Sequence, residues 1–171
     1  GYGGRGAHLV RAAGFATKGW TNTASENAQK NKLNKQFETF MTQEDLNCSL
    51  VGVCDLFDNN AELGIDASKN EVRPGGVPKG TAVRYRTHEE MLANENIDGV
   101  IIATPDHWHS RITIDAAKAG KHVYCEKGMT RTFDEAIDVY DAIKKTGIVF
   151  QLGHQNRQVE ANEKARQIYE Q

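Results

Sequence analysis

Gly99-Val100-Ile101-Ile102-Ala103-Thr104 stops at Pro105. After a short loop, Arg111 to Ala119 leads through Gly120 to His122-Val123-Tyr124-Cys125-Glu126. The first run is apolar and rich in β-branched residues, and reads as a strand. Pro105 ends it because proline has no N–H to give to a ladder. Ile112, Ile114, Ala116 and Ala119 recur near helical spacing, and Gly120 fits the left-handed position after a helix. The run from His122 is a strand again. Strands this uniformly apolar fit a parallel sheet covered on both faces.

The same rhythm extends outward. Leu50-Val51-Gly52-Val53-Cys54-Asp55, Thr81-Ala82-Val83-Arg84-Tyr85 and Ile148-Val149-Phe150-Gln151-Leu152 are further strand candidates. Thr132 with Glu135 three residues on is a capping box, and that helix ends on Lys144-Lys145 before Gly147. Alternating strands and helices predict an α/β domain with a doubly wound, mostly parallel sheet. Two polar stretches, about 17–49 and about 58–80, break the rhythm and read as surface insertions; the second contains Arg73-Pro74-Gly75-Gly76-Val77-Pro78. The expected layout is a cofactor domain over 1–153 and the start of a second domain over 154–171.

Composition bounds the function. The 171 residues are 39% hydrophobic and 26% charged, with a formal net charge of −2. That balance suits a globular domain and gives no reason to expect a nucleic-acid or anionic-membrane partner. No apolar run approaches the ~18 residues of a membrane helix. Cys48, Cys54 and Cys125 have no metal-ligand spacing, and the last two read as buried thiols. No signal peptide is visible, and localisation stays open between cytoplasm and periplasm.

Gly1-Tyr2-Gly3-Gly4-Arg5-Gly6 satisfies G-x-G-x-x-G. The first glycine permits a tight turn, the second lets a pyrophosphate approach the backbone, and the third lets the next helix pack closely. His8 to Ala13 would be that helix, its first amides aimed at phosphate. Such a turn normally follows a strand. None precedes it here, so the central first strand is expected to be missing from this chain. Asp55 ends the next strand, where a carboxylate accepts hydrogen bonds from ribose hydroxyls. It lies further on than the usual ~20 residues, and the polar 17–49 stretch accounts for the excess. The plain alternative is a strand-end acid capping a turn. An acid there disfavours a 2′-phosphate, and no Arg or Lys stands among Leu56, Phe57, Asp58, Asn59 and Asn60. NAD is therefore expected over NADP.

Two further stretches lie at strand C-termini, where open α/β sheets bind ligands: Ala103-Thr104-Pro105-Asp106-His107-Trp108-His109 and Gly120-Lys121-His122-Val123-Tyr124-Cys125-Glu126-Lys127. In a desolvated pocket Lys127 would have a lowered pKa and could stabilise an alkoxide or relay a proton. At a solvated strand end it would merely pair with an acid. His107-x-His109 offers two nitrogens but no convincing third ligand, so no metal is expected. Trp108 is either a stacking wall for nicotinamide or sugar, or a packed aromatic. His154 is a candidate for the cleft, while His8, His88 and His122 read as structural or exposed.

Taken in order, these four motifs resemble the Gfo/Idh/MocA oxidoreductases, from Gly1 to about Arg157 outside the two polar stretches. The resemblance implies an N-terminal Rossmann domain followed by a C-terminal α/β domain absent here. It implies that Gly1, Gly3 and Gly6, with Tyr2, Gly4 and Arg5 between them, form the phosphate turn, and that Asp55 is the ribose acid. Thr104, Pro105, His107 and His109 would then line the nicotinamide. Glu126-Lys127 would match the Glu-Lys-Pro signature, its lysine catalytic, and Gly153 to Arg157 the crossover. Gly128 departs from the signature's proline. The activity implied is hydride transfer between NAD(P) and a hydroxyl carbon of a sugar, glycoside or cyclitol. Alternatives are a redox-neutral glycosidase of the same family and a non-catalytic dinucleotide-binding protein. The resemblance also implies a homo-oligomer formed through the absent domain.

Overall fold

The computed structural model describes residues 1–73, 80–155 and 159–170. Helices are α1 (Gly4–Ala12), α2 (Lys18–Lys30), α3 (Gln36–Thr42), α4 (Asp58–Ser68), α5 (His88–Leu92), α6 (His109–Lys118), α7 (Phe133–Thr146) and α8 (Glu160–Tyr169). Strands are β1 (Gly52–Cys54), β2 (Val83–Tyr85), β3 (Gly99–Ile102), β4 (His122–Glu126) and β5 (Phe150–Gly153). The expected doubly wound parallel architecture is present, and among the described residues no helix is long and apolar enough to cross a membrane.

The sheet is in two parts. β1 pairs with β2, and β3-β4-β5 form a second sheet, every ladder parallel. Between β1 and β3 no ladder runs among the described residues. A cavity of about 270 Å³ lies there, lined by Val51, Val53, Val100 and Ile102 among others. The chain leaves β2 through α5 and reappears at β3 on the far side, so the winding reverses across this cavity. Ligands bind at such a switch point in open α/β sheets.

Two apolar clusters hold the halves. Val100, Ile102, Val123 and Cys125 pack with Ala116, Ala117 and Leu92. Tyr2, Val10, Phe15 and Val53 pack with Ala61 and Ala67. Local signals fix the ends of α7: Thr132 and Glu135 form the reciprocal capping box, and Gly147 takes φ 69°. Thr87 and Glu90 form a second capping box on α5.

Among the described residues, both polar stretches carry helices. In 17–49, α2 and α3 pack through Trp20 and Phe40, whose rings meet edge to face at 5.3 Å. In 58–80, α4 is a covering helix of the sheet: Ala61, Gly64 and Ala67 share its buried face. A Cβ on Gly64 would come within 2.9 Å of Val53 and 3.0 Å of Tyr2, so the helix sits closer to β1 than alanine would permit. The turn-rich 74–78 lies outside the described residues. Cys125 is buried as expected, and burial pushes its thiol up to about 11; Cys54 is half-buried.

Candidate functional site

The glycine turn bridges the two half-sheets at their C-terminal ends. A Cβ on Gly1 would approach the Ala103 carbonyl oxygen to 3.2 Å and Asp55 Oδ2 to 3.6 Å. A Cβ on Gly6 would stand 2.0 Å from the Gly1 carbonyl oxygen, so the third glycine is required by the turn's own backbone. Gly3 and Gly4 face open space, the nearest atom to a Gly3 Cβ being Asn60 Nδ2 at 3.9 Å. α1 starts there with no side-chain cap and no acid in its first turn. Free amides, a positive helix end and room at Gly3 and Gly4 together fit a pyrophosphate.

Asp55 faces this turn. Its Oδ2 accepts from the Tyr2 amide at 2.6 Å, and its Oδ1 from the Phe57 amide at 2.9 Å; Asn60 Nδ2 lies 3.3–3.4 Å from both oxygens. The acid therefore does cap a turn, and in doing so it locks the turn to the end of β1. The Tyr2 side chain is buried in the core beside Val53, so only its backbone faces the site. Burial pushes its phenol up to about 12.

On the other half-sheet, Glu126 is buried at the end of β4. Arg5 Nη2 reaches its Oε1 at 2.6 Å, and the Tyr124 hydroxyl lies 3.4 Å from the same oxygen. The bond to Glu126 raises the Arg5 pKa despite partial burial. Arg5 also contacts His8 Nδ1 at 2.7 Å, while its Nε is buried without a partner. This link between residues 121 positions apart joins the glycine turn to the end of β4, next to Lys127. Spacing could not reveal it; the parallel order of the strands could have suggested it.

His109 is 1% exposed. Its Nδ1 lies 2.6 Å from the Gly128 carbonyl oxygen and its Nε2 2.8 Å from that of Thr104. The ring thus ties the loop after β3 to the turn after β4. Both nitrogens face carbonyl oxygens, so the ring acts as a clamp between the two loops. The Lys127–Gly128 peptide is cis. Lys127 itself is exposed, and no ion pair holds it among the described residues.

Thr104 Oγ1 is buried without a partner at the mouth of the central cavity. Pro105 starts a single 3₁₀ turn, Asp106–Trp108, and its carbonyl accepts from the Trp108 amide at 3.0 Å. His107 is exposed beside Asp106. Trp108 is half-exposed, its ring edge-on to His88 at 6.2 Å. His154 is exposed beyond β5, and positions 156–157 of the crossover lie outside the described residues. His88 bonds Asp115, and His122 Nδ1 accepts from the Val149 amide.

Comparison with known proteins agrees with this geometry. Levoglucosan dehydrogenase of Pseudarthrobacter phenanthrenivorans is 42% identical over 71 residues, 42% of this chain and 18% of that protein. A glycosyl hydrolase family 109 protein of Shewanella baltica is 33% identical over 98 residues, 57% of this chain and 21% of that protein. The chain thus spans about a fifth of the length of these curated relatives. The crystal structure of myo-inositol 2-dehydrogenase from Lactobacillus plantarum superposes with a TM-score of 0.61 at 28% identity, covering 82% of this chain and 38% of that one. The Gfo/Idh/MocA sequence profile, described as an oxidoreductase family with an NAD-binding Rossmann fold, matches residues 24–154. The glycine turn lies outside that match, and it is the structure that sets it against Asp55 and Glu126. With a match over most of its length and all its ladders parallel, the chain belongs to the Gfo/Idh/MocA oxidoreductase family.

Proposed function

We propose that this chain is the cofactor-binding part of an enzyme that transfers hydride between NAD and a hydroxyl carbon of a sugar, glycoside or cyclitol. The observation that carries the reading is the Arg5–Glu126 bond, which holds an open phosphate turn against the strand end bearing Lys127. NAD would supply the hydride acceptor. Gly3, Gly4 and the first amides of α1 would take its pyrophosphate, and Asp55 its ribose. Thr104, with an unpartnered buried hydroxyl, would give the nicotinamide end a polar contact, flanked by Pro105 and by His107 at the loop's outer edge.

Lys127 would touch the substrate hydroxyl, holding or passing its proton as the carbon is oxidised. Its exposure here means that water would have to be excluded by a further domain or by the substrate itself. Residues 154–171 would begin that domain, through which the protein would form a homo-oligomer; Trp108 and His154 would meet substrate from the rim. NADP is the less favoured cofactor.

The test is NADH formation by the complete protein across a panel of sugars, glycosides and cyclitols. Activity on at least one member that falls ~10²-fold or more in Lys127→Ala, with NAD affinity kept, supports the assignment. NAD binding with no turnover on any member refutes it and leaves a non-catalytic binder. Likeness to a glycosyl hydrolase favours one second reading, a redox-neutral glycosidase; sugar cleavage without net NADH would establish it.

A further inference from the structure

Asp58 opens α4, three residues beyond Asp55. Two arginines from the neighbouring strand converge on its Oδ1: Arg84 through Nη2, and Arg86 through Nη1 at 3.4 Å. The register brings them there. β2 runs parallel to β1 with Tyr85 level with Cys54, so Arg86 follows level with Asp55. Residues two apart on a strand share a face, which puts Arg84 and Arg86 side by side. The Arg84 side chain is only 20% exposed, and its Nε is buried without a partner. Hydrogen bonding and charge from Arg84, then Arg86, hold the Asp58 carboxyl below its ordinary range.

We propose that Asp58 sets the preference for NAD over NADP by occupying an arginine pair that would otherwise receive a 2′-phosphate. No basic residue follows Asp55 in the sequence from 56 to 60, yet the fold delivers two from β2 to the same strand ends. Planar guanidinium forks bind phosphate in bidentate fashion, and α4 begins here with no side-chain cap on its amides. With Asp58 present, both forks are turned onto one carboxylate and Asp55 repels a second anion. With Asp58 gone, two cations and a helix N-terminus border the ribose position. The preference then resides in an acid that quenches a basic site, and not in the lack of one.

The inference rests on Asp55 holding the ribose, and the experiment separates the two. Equilibrium binding of NAD and NADP, which differ only by the 2′-phosphate, is measured for the wild-type protein, Asp58→Asn, Asp55→Ala, and Asp58→Asn combined with Arg84→Ala. Asp58 is exposed, and unchanged circular dichroism would verify that Asn preserves the fold. The expected result is a preference for NAD in the wild type and a shift of the affinity ratio toward NADP by about tenfold or more in Asp58→Asn. Adding Arg84→Ala should abolish that shift. An unchanged ratio in Asp58→Asn, a wild type that already prefers NADP, or binding of neither nucleotide by any variant overturns the proposal. NAD affinity unaffected by Asp55→Ala would overturn the ribose assignment and with it the premise of this proposal, whereas an unchanged ratio in Asp58→Asn with NAD affinity lost in Asp55→Ala would overturn the proposal only.

Discussion

Replacing His109 with leucine tests whether the clamp between the two loops is structural. Leucine nearly fills the volume of the ring, so the loss is one of polar contacts and not of packing. Even a ring with a single N–H satisfies one of the two facing carbonyls, at 2.6 Å from Gly128 or 2.8 Å from Thr104. Gly128 is exposed, so water can replace the donor to its carbonyl once the clamp opens. The Thr104 carbonyl belongs to a half-buried residue and would lose its side-chain partner. Stranding one buried acceptor costs about 1–3 kcal/mol. Urea unfolding should therefore show a lower midpoint with an unchanged slope, and amide exchange should quicken over Lys127 to Thr130 before it does in β4. A stability loss below ~0.5 kcal/mol, less than a typical net hydrogen bond, together with unaltered exchange at those amides, would refute the clamp.

Three further outcomes follow from the same geometry. Gly6→Ala should weaken NAD binding by about tenfold or more, because its Cβ would stand 2.0 Å from the Gly1 carbonyl and the turn must open, an overpacking cost of about 1–3 kcal/mol. Gly4→Ala meets nothing within 4 Å and should bind normally; calorimetric titration distinguishes the pair. Arg5→Ala leaves Glu126 buried with its cation gone and should lower stability by about 3–5 kcal/mol, whereas a midpoint shift equal to that of a surface arginine would contradict the burial. Asp115 is pushed up by burial but held below its ordinary range overall by Arg111 and His88. A depressed carboxyl stabilises the fold above its unfolded value near ~4 and loses that contribution as pH falls through its lower folded value. Asp115→Asn should flatten the pH dependence of the urea midpoint as pH falls below about 4, and identical slopes would dismiss the effect.

The strand ends were readable because each rests on a local pattern: an apolar run closed by Pro105, by Asp55 or by Glu126. The end of α7 was readable for the same reason, since a capping box and a positive-φ glycine act within a few residues. α4 is hard to read from sequence because its buried face is Ala61, Gly64 and Ala67. Such small residues give almost no apolar signal, and their value appears only once Val53 and Tyr2 lie beneath them. The pairing of Trp20 with Phe40 hid in the same way inside a polar stretch. In the site, the membership of the loops could be read but not the duties within them. His109 serves Gly128, 19 residues away, and Arg5 serves Glu126 across almost the whole chain. Lys127 directly follows β4 and is exposed, and no local pattern reveals what would cover it.

The division of the sheet has a thermodynamic consequence. Asp55 belongs to the β1–β2 half, and Thr104 and Glu126 to the β3–β5 half, so the adenosine and nicotinamide ends of the proposed site sit on different half-sheets. A dinucleotide touching both would act as a rivet. Bound only to the assembled arrangement, it would add about 2.7 kcal/mol of stability at a hundredfold excess over its Kd. Loss of either strand end would forfeit that energy, so the cofactor would couple the stability of both. Cofactor concentration would then set the midpoint at which the fold unfolds.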